Sequence, residues 1–264
     1  MPHPVCCAAT TGSVKSRFMP WMKKCKWTRL VSLLLCLGCV SSSPASGVWR
    51  PALGDDLDSI PGPINGLGSF DSFPDALKAA CPLILSKPNA TVGHLVKTDR
   101  QMATRVATEY CAWIYYTPEH KFEMSMLADQ SSSDDLVTGK RTCTLPAFVK
   151  DTRYPQNALK YIFSVHNHPF GTHLSSADLH FAETMAELHS WVIETKNSKV
   201  LLSVIAFFSR SEDPEHPTCD GFFQYIPATS DMLKWTQHSG VWNRERLGTV
   251  TWVDESSYRI DKPR

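Results

Sequence analysis

The chain has 264 residues, of which 42% are hydrophobic and 20% are charged, values that are ordinary for a globular protein. Its formal net charge is +1, but the charge is unevenly distributed. Residues 1–38 contain six basic residues and no acidic one, whereas the remainder contains 21 basic and 26 acidic residues. Because the body of the chain is mildly acidic, its composition argues against a nucleic-acid-binding protein.

The first 39 residues have the pattern of an export signal. A basic segment over residues 22–29 precedes an apolar run of about eleven residues. This run is too short to span a bilayer and suits a signal peptide. The run reaches Gly38 and Cys39, a junction that is similar to a bacterial lipoprotein signal; a plain secretory signal cleaved nearby is the alternative. We therefore expect a signal region over 1–39, translated from Met22. We also expect an exported protein that Cys39 anchors to the membranes of a bacterial cell envelope.

Three further regions follow the signal. Residues 40–72 are rich in serine, proline, glycine and aspartate, which predicts a flexible tether. Residues 73–230 contain the periodic segments and are expected to form the folded domain. Residues 231–264 are expected to be a C-terminal extension, whose three tryptophans make it too aromatic to be simply disordered.

The folded region alternates segments of strand and helix character. Hydrophobic periodicity predicts an amphipathic helix that begins at Ser175, with its apolar stripe running to Val192. The other predicted elements are a short helix over 74–80, a helix or strand over 98–108, strands over 110–116 and 122–127 joined by a turn, an exposed loop over 131–141, and strands over 160–165, 200–208 and 221–226. This order predicts an α/β layer fold with a mixed β-sheet packed against one or more helices.

One stretch joins strand, loop and helix with residues suited to metal binding. His166 and His168 are two apart on an extended chain, so both imidazoles leave from one face. After the loop, Asp178 lies in the first turn of the next helix. Two imidazoles and one carboxylate, with a fourth position left to water, form the ligand set of a catalytic zinc site. The alternative is that the histidines are surface residues and Asp178 only caps the helix.

This stretch resembles the signature of the JAMM zinc metallopeptidases, also called MPN or JAB: H-x-H-P, about seven residues, then S-x-x-D. Six residues separate His168 from Ser175 here, one fewer than usual. The upstream glutamate of that family is matched by Glu109. The sequence E-Y-C-A-W-I-Y that begins there also resembles a run in bacterial JAMM-related domains of unassigned function. The resemblance covers roughly residues 100–210.

The resemblance implies a JAMM-like fold and a Zn²⁺ ion held by His166, His168 and Asp178. It implies that Glu109 moves the proton of the attacking water and that Ser175 binds the oxyanion. The expected function is hydrolysis of amide bonds in a peptide or protein substrate, by a peptidase or isopeptidase. Two alternatives stay open: a catalytically inactive binding module on the cell envelope, which the shortened loop favours, and a secreted toxin effector.

The cysteines predict at least one disulfide. After processing at Cys39, four other cysteines remain, and export would place them in an oxidising compartment. They are Cys81, Cys111, Cys143 and Cys219, and they allow three pairings. Cys111 could instead be a free thiol in the core, because it shares a strand face with Glu109.

Overall fold

The computed structural model describes residues 44–130, 142–213 and 215–262, which form a mixed α/β fold. The helices are α1 (Phe73–Leu85), α2 (Gly93–Val96), α3 (Arg100–Val106) and α4 (Ser176–His189). The strands are β1 (Val48–Trp49), β2 (Ser59–Gly62), β3 (Cys111–Tyr116), β4 (Phe122–Met124), β5 (Leu127–Ala128), β6 (Phe148–Asp151), β7 (Lys160–Asn167), β8 (Val192–Glu194), β9 (Lys199–Leu201), β10 (Ser203–Phe208), β11 (Gly221–Ile226), β12 (Asp231–His238), β13 (Val241–Asp254) and β14 (Ser257–Asp261).

A ten-stranded sheet organises the fold, in the order β1-β5-β3-β7-β10-β11-β12-β13-β14 with β4 paired to β3. Strand β7 lies at its centre, antiparallel to β3 and parallel to β10. The strands β3 and β10 are buried at every position, which explains their nearly continuous apolar sequences. Two small sheets, β2-β6 and β8-β9, complete the strand pairing of the described residues.

Helices cover both faces of the sheet. Helix α1 begins after Ser72, whose side chain accepts from the Asp75 N–H, and it buries Leu77 and Ile84 against one face. Helix α4 buries Leu179 and Ala182 against the other face, on β10 and β11. The alternation of β7 therefore aims successive side chains at two different environments.

The predicted tether is wrong for residues 44–72. Val48 in β1 and Ile60 in β2 are buried, and β1 pairs with β5 at the edge of the main sheet. Apolar residues scattered among serines, prolines and glycines are sufficient to add short strands to a sheet that other segments provide. The tether prediction for residues 40–43 lies outside the described residues.

The predicted C-terminal extension is also wrong, because residues 231–261 continue the domain. Strands β12, β13 and β14 pair in sequence onto β11. Gly221 allows the close approach of β12, since a Cβ at that position would lie 2.1 Å from the Trp235 carbonyl oxygen. The domain boundary that was expected at residue 230 therefore falls inside one sheet.

Local differences from the predicted elements arise where tertiary contacts interrupt a pattern. The run over 200–208 divides into β9 and β10, and the run over 122–127 divides into β4 and β5. Helix α4 ends at His189, so the last member of the predicted stripe, Val192, lies in β8. The ambiguous segment over 98–108 contains α3, which Asp99 caps at its N-terminus.

Two disulfides confirm that the cysteines are paired. Cys81 of α1 is bonded to Cys219, which precedes β11, and Cys111 of β3 is bonded to Cys143. The signal region over 1–39, its Cys39 junction and the loop over 131–141 lie outside the described residues. Among the residues that are described, no helix combines the length and hydropathy needed to cross a membrane.

Candidate metal centre

The two histidines of the motif lie where β7 ends. Extended backbone aims His166 and His168 at the face covered by α4, while Asn167 between them faces the opposite way. The backbone N–H of His168 donates to the Phe207 carbonyl at 2.9 Å, which continues the pairing with β10 for one residue beyond the strand. Both imidazoles are buried. The position of each ring therefore follows from its place on a central strand.

The loop after His168 returns the chain to the same point. Gly171 has a positive φ of 66°, and its N–H donates to the His168 carbonyl at 2.9 Å, forming a tight turn. The Pro169 carbonyl accepts from the Val92 N–H, which connects the loop to the segment before α2. The six-residue connection is thus long enough to place the first turn of α4 over the imidazoles.

Asp178 completes a group of three possible ligands. The Nε2 atoms of His166 and His168 are 3.0 Å apart. In the Asp178 carboxylate, Oδ1 lies 3.5 Å from the first and Oδ2 lies 3.4 Å from the second. Donors bound to one tetrahedral Zn²⁺ at their usual bond lengths are about 3.3 Å apart. The three side chains therefore already have nearly the separations that such an ion requires.

Ser175 holds the carboxylate in place. Its backbone N–H and its hydroxyl donate to Asp178 Oδ2 at 2.6 and 2.8 Å, and its Oγ accepts from the Asp178 N–H. This reciprocal arrangement is a capping box at the N-terminus of α4. Because Oδ2 already accepts both donors, Oδ1 is the freer oxygen for a cation.

In its neutral form, His168 has Nε2 available as an electron-pair donor. His168 Nδ1 lies 2.8 Å from the Thr172 carbonyl, which can only accept, so Nδ1 carries the proton in neutral His168. Burial lowers the pKa of His166 to about 4 and outweighs the opposing charge of Asp178. Burial also acts to raise the pKa of Asp178, but the neighbouring imidazoles outweigh it and hold that pKa below its usual range. At neutral pH the group contains a carboxylate and a neutral His166.

Glu109 lies beside this group. Cys111, two residues after Glu109, pairs with His166 in the antiparallel pairing of β3 and β7. Continuation of that register by two residues places Glu109 opposite His168. Burial acts to lower the pKa of His168, but the hydrogen bond and charge of Asp178, with a smaller effect from the charge of Glu109, raise it. Glu109 is therefore close enough to influence the imidazole electrostatically, and it is only partly buried.

Asn167 is a buried polar residue beside the candidate site that the sequence did not reveal. Its side chain, 0% exposed, accepts from the Tyr110 N–H at 2.7 Å and donates to the carbonyls of Ala90 and Thr108 at 2.7 and 3.0 Å. It thus holds the residues on either side of Glu109. The sequence signal that could have identified Asn167 is an amide side chain at the end of an apolar strand, because a buried polar group needs hydrogen-bond partners.

The other histidines near the motif have separate roles. His173 is exposed in the loop, and its ring centroid lies 4.5 Å from that of Phe223. His180 points away from the metal group and stacks on Trp252 at 3.9 Å. Across the described residues, His166, His168 and Asp178 are the one cluster of three histidine, cysteine or acidic side chains arranged to hold a metal ion.

Comparison with known proteins adds no relative. No protein-family model matches the chain, and searches of curated proteins and of solved structures found no significant match. The interpretation of the site therefore depends on its own geometry and on the resemblance of its motifs.

Proposed function

We propose that the protein is an exported zinc-dependent peptidase or isopeptidase that hydrolyses amide bonds in a peptide or protein substrate. One observation carries the proposal. Two imidazole nitrogens and a carboxylate converge within 4.8 Å of one another, with Glu109 placed next to His168. Three protein ligands with a fourth position for water are typical of catalytic zinc, whereas structural zinc is usually enclosed by four.

The donor set fits zinc better than a harder cation. Imidazole nitrogen is a good ligand for Zn²⁺, whereas Mg²⁺ and Ca²⁺ prefer sites made of oxygen. His168 donates its other ring N–H to a backbone carbonyl, an arrangement common among metal-binding histidines because it orients the ring. His166, His168 and Asp178 would hold the ion.

When bound, zinc supplies a Lewis acid that lowers the pKa of its water to about 7. Glu109 accepts the proton that the attacking water loses and delivers it to the leaving nitrogen. Asn167 keeps the chain around Glu109 in place during this transfer. The Ser175 hydroxyl donates to the oxygen that gains negative charge. Because this hydroxyl donates to Asp178 in the structure, it must rotate, while the Ser175 N–H continues to hold the carboxylate.

Export is supported by the disulfides, which persist in oxidising compartments and are rare in the cytosol. We propose that Cys39 anchors the protein to the cell envelope, as the signal-like N-terminal sequence indicates. Replacement of Cys39 by serine should release the protein from membranes. If parent and variant fractionate alike, the lipid anchor is wrong.

The second candidate is a metal-free binding module with the same fold. The 3.0 Å contact between the two Nε2 atoms favours it, because a single shared proton could also occupy that contact. The two candidates differ in zinc content, so the first measurement is metal analysis of the purified full chain.

The test pairs two substitutions with matched controls. His168→Ala should lose zinc, because two ligands remain, whereas His216→Ala, at an exposed histidine, should keep it. Glu109→Gln should keep zinc and lose hydrolysis by about 10²–10⁴-fold, because an amide cannot accept the proton. Glu187→Gln, at an exposed carboxylate of α4, should keep both. Hydrolysis is followed with a fluorogenic peptide library and ε-linked isopeptides, with and without a chelator.

Three results would contradict the assignment. Equal zinc content in His168→Ala and the parent would show that the proposed metal site is wrong. Loss of zinc in Glu109→Gln would make Glu109 a ligand. Zinc without chelator-sensitive cleavage of any probe would contradict hydrolysis and leave a zinc-containing binding module as the better explanation.

A further inference from the structure

A large cavity lies on the face of the sheet opposite the metal centre. It has a volume of about 590 Å³, within the range of small-molecule sites. The first turns of α1 form one wall and the hairpin β12–β13 forms the other, with β7, β10 and β11 as the floor. Phe163, which lines the cavity, is on β7 but faces α1, whereas His166 faces α4. The two sites therefore share a strand but not a surface.

Aromatic rings dominate the walls. Phe222, Trp235 and Arg244 are directly opposite one another across three adjacent strands, β11, β12 and β13. The rings of Phe222 and Trp235 stack at 5.6 Å, and that of Trp242 lies 5.5 Å from Phe222. The disulfide between Cys81 and Cys219 joins α1 to the segment before β11, so two of the cavity's boundaries are covalently connected. An apolar molecule would meet a largely preformed site.

The charged residues that line the cavity are all basic. Lys78, Lys199 and Arg244 line it, and none of its described lining residues is acidic. Each lysine has an exposed carboxylate partner, Asp75 and Glu194, and such pairs are weak. Within the described part of the chain, Arg244 contacts the Trp235 ring and has no acidic partner. The cavity therefore offers a cation at its edge.

Polar groups around the cavity bond to one another, with one exception. The Trp235 Nε1–H donates to Gln224 at 2.9 Å, and Gln224 donates to Ser203 at 3.1 Å. The Nε1–H of Trp242 is buried and has no acceptor among the described residues. A buried donor without a partner is costly, so this N–H calls for an acceptor that the described residues do not supply.

We infer that this cavity binds a small amphipathic anion, an acyl chain with a single carboxylate. The apolar body would occupy the space between α1 and the aromatic residues of the hairpin. The carboxylate would pair with Arg244 and accept from the Trp242 N–H. The aromatic walls favour an apolar molecule. The basic lining residues and the buried Trp242 N–H favour a head group that is anionic and accepts a hydrogen bond.

The test measures binding of decanoate and decanol to the purified full chain, by tryptophan fluorescence and calorimetry. The two probes have the same alkyl chain, and only decanoate carries a charge. Decanoate should bind more tightly than decanol. Arg244→Gln should weaken decanoate about tenfold and leave decanol unchanged, as expected when a charge-assisted contact is lost. Trp242→Phe, which keeps an aromatic ring but removes the N–H, should also weaken decanoate binding. The control Arg259→Gln, at an exposed arginine paired with Asp261, should bind like the parent.

Several outcomes would overturn the inference. Equal affinity for decanoate and decanol, unaffected by Arg244→Gln, would show that the cavity does not recognise a carboxylate. If neither probe binds, the cavity is not a site for an acyl chain. A dimer that Trp242→Ala dissociates would mean that a second copy covers the cavity. His168→Ala should bind decanoate like the parent, so a failure of the metal assignment leaves this test intact; loss of decanoate binding in that variant would contradict the separation of the two sites.

Discussion

Two buried polar clusters of this domain differ in how they balance charge. Near β4 and β6, the carboxylates of Glu123 and Asp151 are both bound by Arg153, and both accept from the hydroxyl of Tyr115. In the candidate metal centre, Asp178 lies against two imidazoles, and no described lysine or arginine pairs with it.

The difference shows what each cluster can do. The planar guanidinium of Arg153 donates four hydrogen bonds to the two carboxylates, which satisfies them without help from outside the chain. The candidate metal centre instead brings together two imidazoles and a carboxylate that face one another. Burying such a group is costly unless a cation is supplied, and in our proposal zinc supplies it. The first cluster stabilises the fold by itself, and the second is suited to binding.

The largest expected effect separates the clusters by their response to zinc. Free zinc at a thousand times its Kd should raise the free energy of unfolding by about 4 kcal/mol, because zinc binds only the folded site. His168→Ala should lose this gain, and Arg153→Met should retain it. Chemical denaturation with and without zinc measures both. An equal gain in the parent and in His168→Ala would place the ion elsewhere.

Arg153→Met should reduce the stability of the domain by about 3 kcal/mol, at the lower end for breaking a buried ion pair because Arg153 is 43% exposed. The cause is that two buried carboxylates lose their cation. Urea denaturation measures the change. Arg259→Met, at an exposed pair, is the control and should change stability little. A loss as small as the control's would show that the carboxylates are solvated in solution.

Ser175→Ala should lower the rate of hydrolysis on the order of 10²-fold while zinc stays bound, because the backbone N–H still holds Asp178. The measurement is kcat together with zinc content. Ser176→Ala, the next residue, is the matched control, since Ser176 lies outside the reciprocal contacts of the cap. A Ser175→Ala variant with full activity would leave Ser175 as a helix cap alone.

The smallest effect concerns pH. Burial acts to raise the pKa of Asp151, but Arg153 and the Tyr115 hydroxyl outweigh it and hold that pKa below its usual range. A depressed pKa contributes stability that is present above the unfolded value, about 3.9, and is lost as pH falls through the folded value. Stability should therefore decrease between pH 5 and pH 3, and less steeply in Arg153→Met. Urea denaturation across this range tests the difference in slope; identical slopes would contradict it.

Much of the candidate site could be predicted from short-range sequence. The alternation of a strand places His166 and His168 on one face, and a capping residue three positions before an acid places Asp178 at the start of a helix. Asn167 could not be assigned a role in the same way. Its partners at Ala90 and Thr108 are 77 and 59 residues away in the chain.

The sequence by itself determined the local elements, the helix cap and the even set of cysteines, because backbone sterics, side-chain alternation and capping act over a few residues. Only the tertiary structure decided which cysteines pair, that residues 44–72 and 231–261 belong to the folded domain, and that an aromatic cavity lies behind the candidate metal centre. Short segments with weak periodicity become strands when a partner edge offers hydrogen bonds and burial. Those partners lie far away in sequence, so no local pattern could specify them.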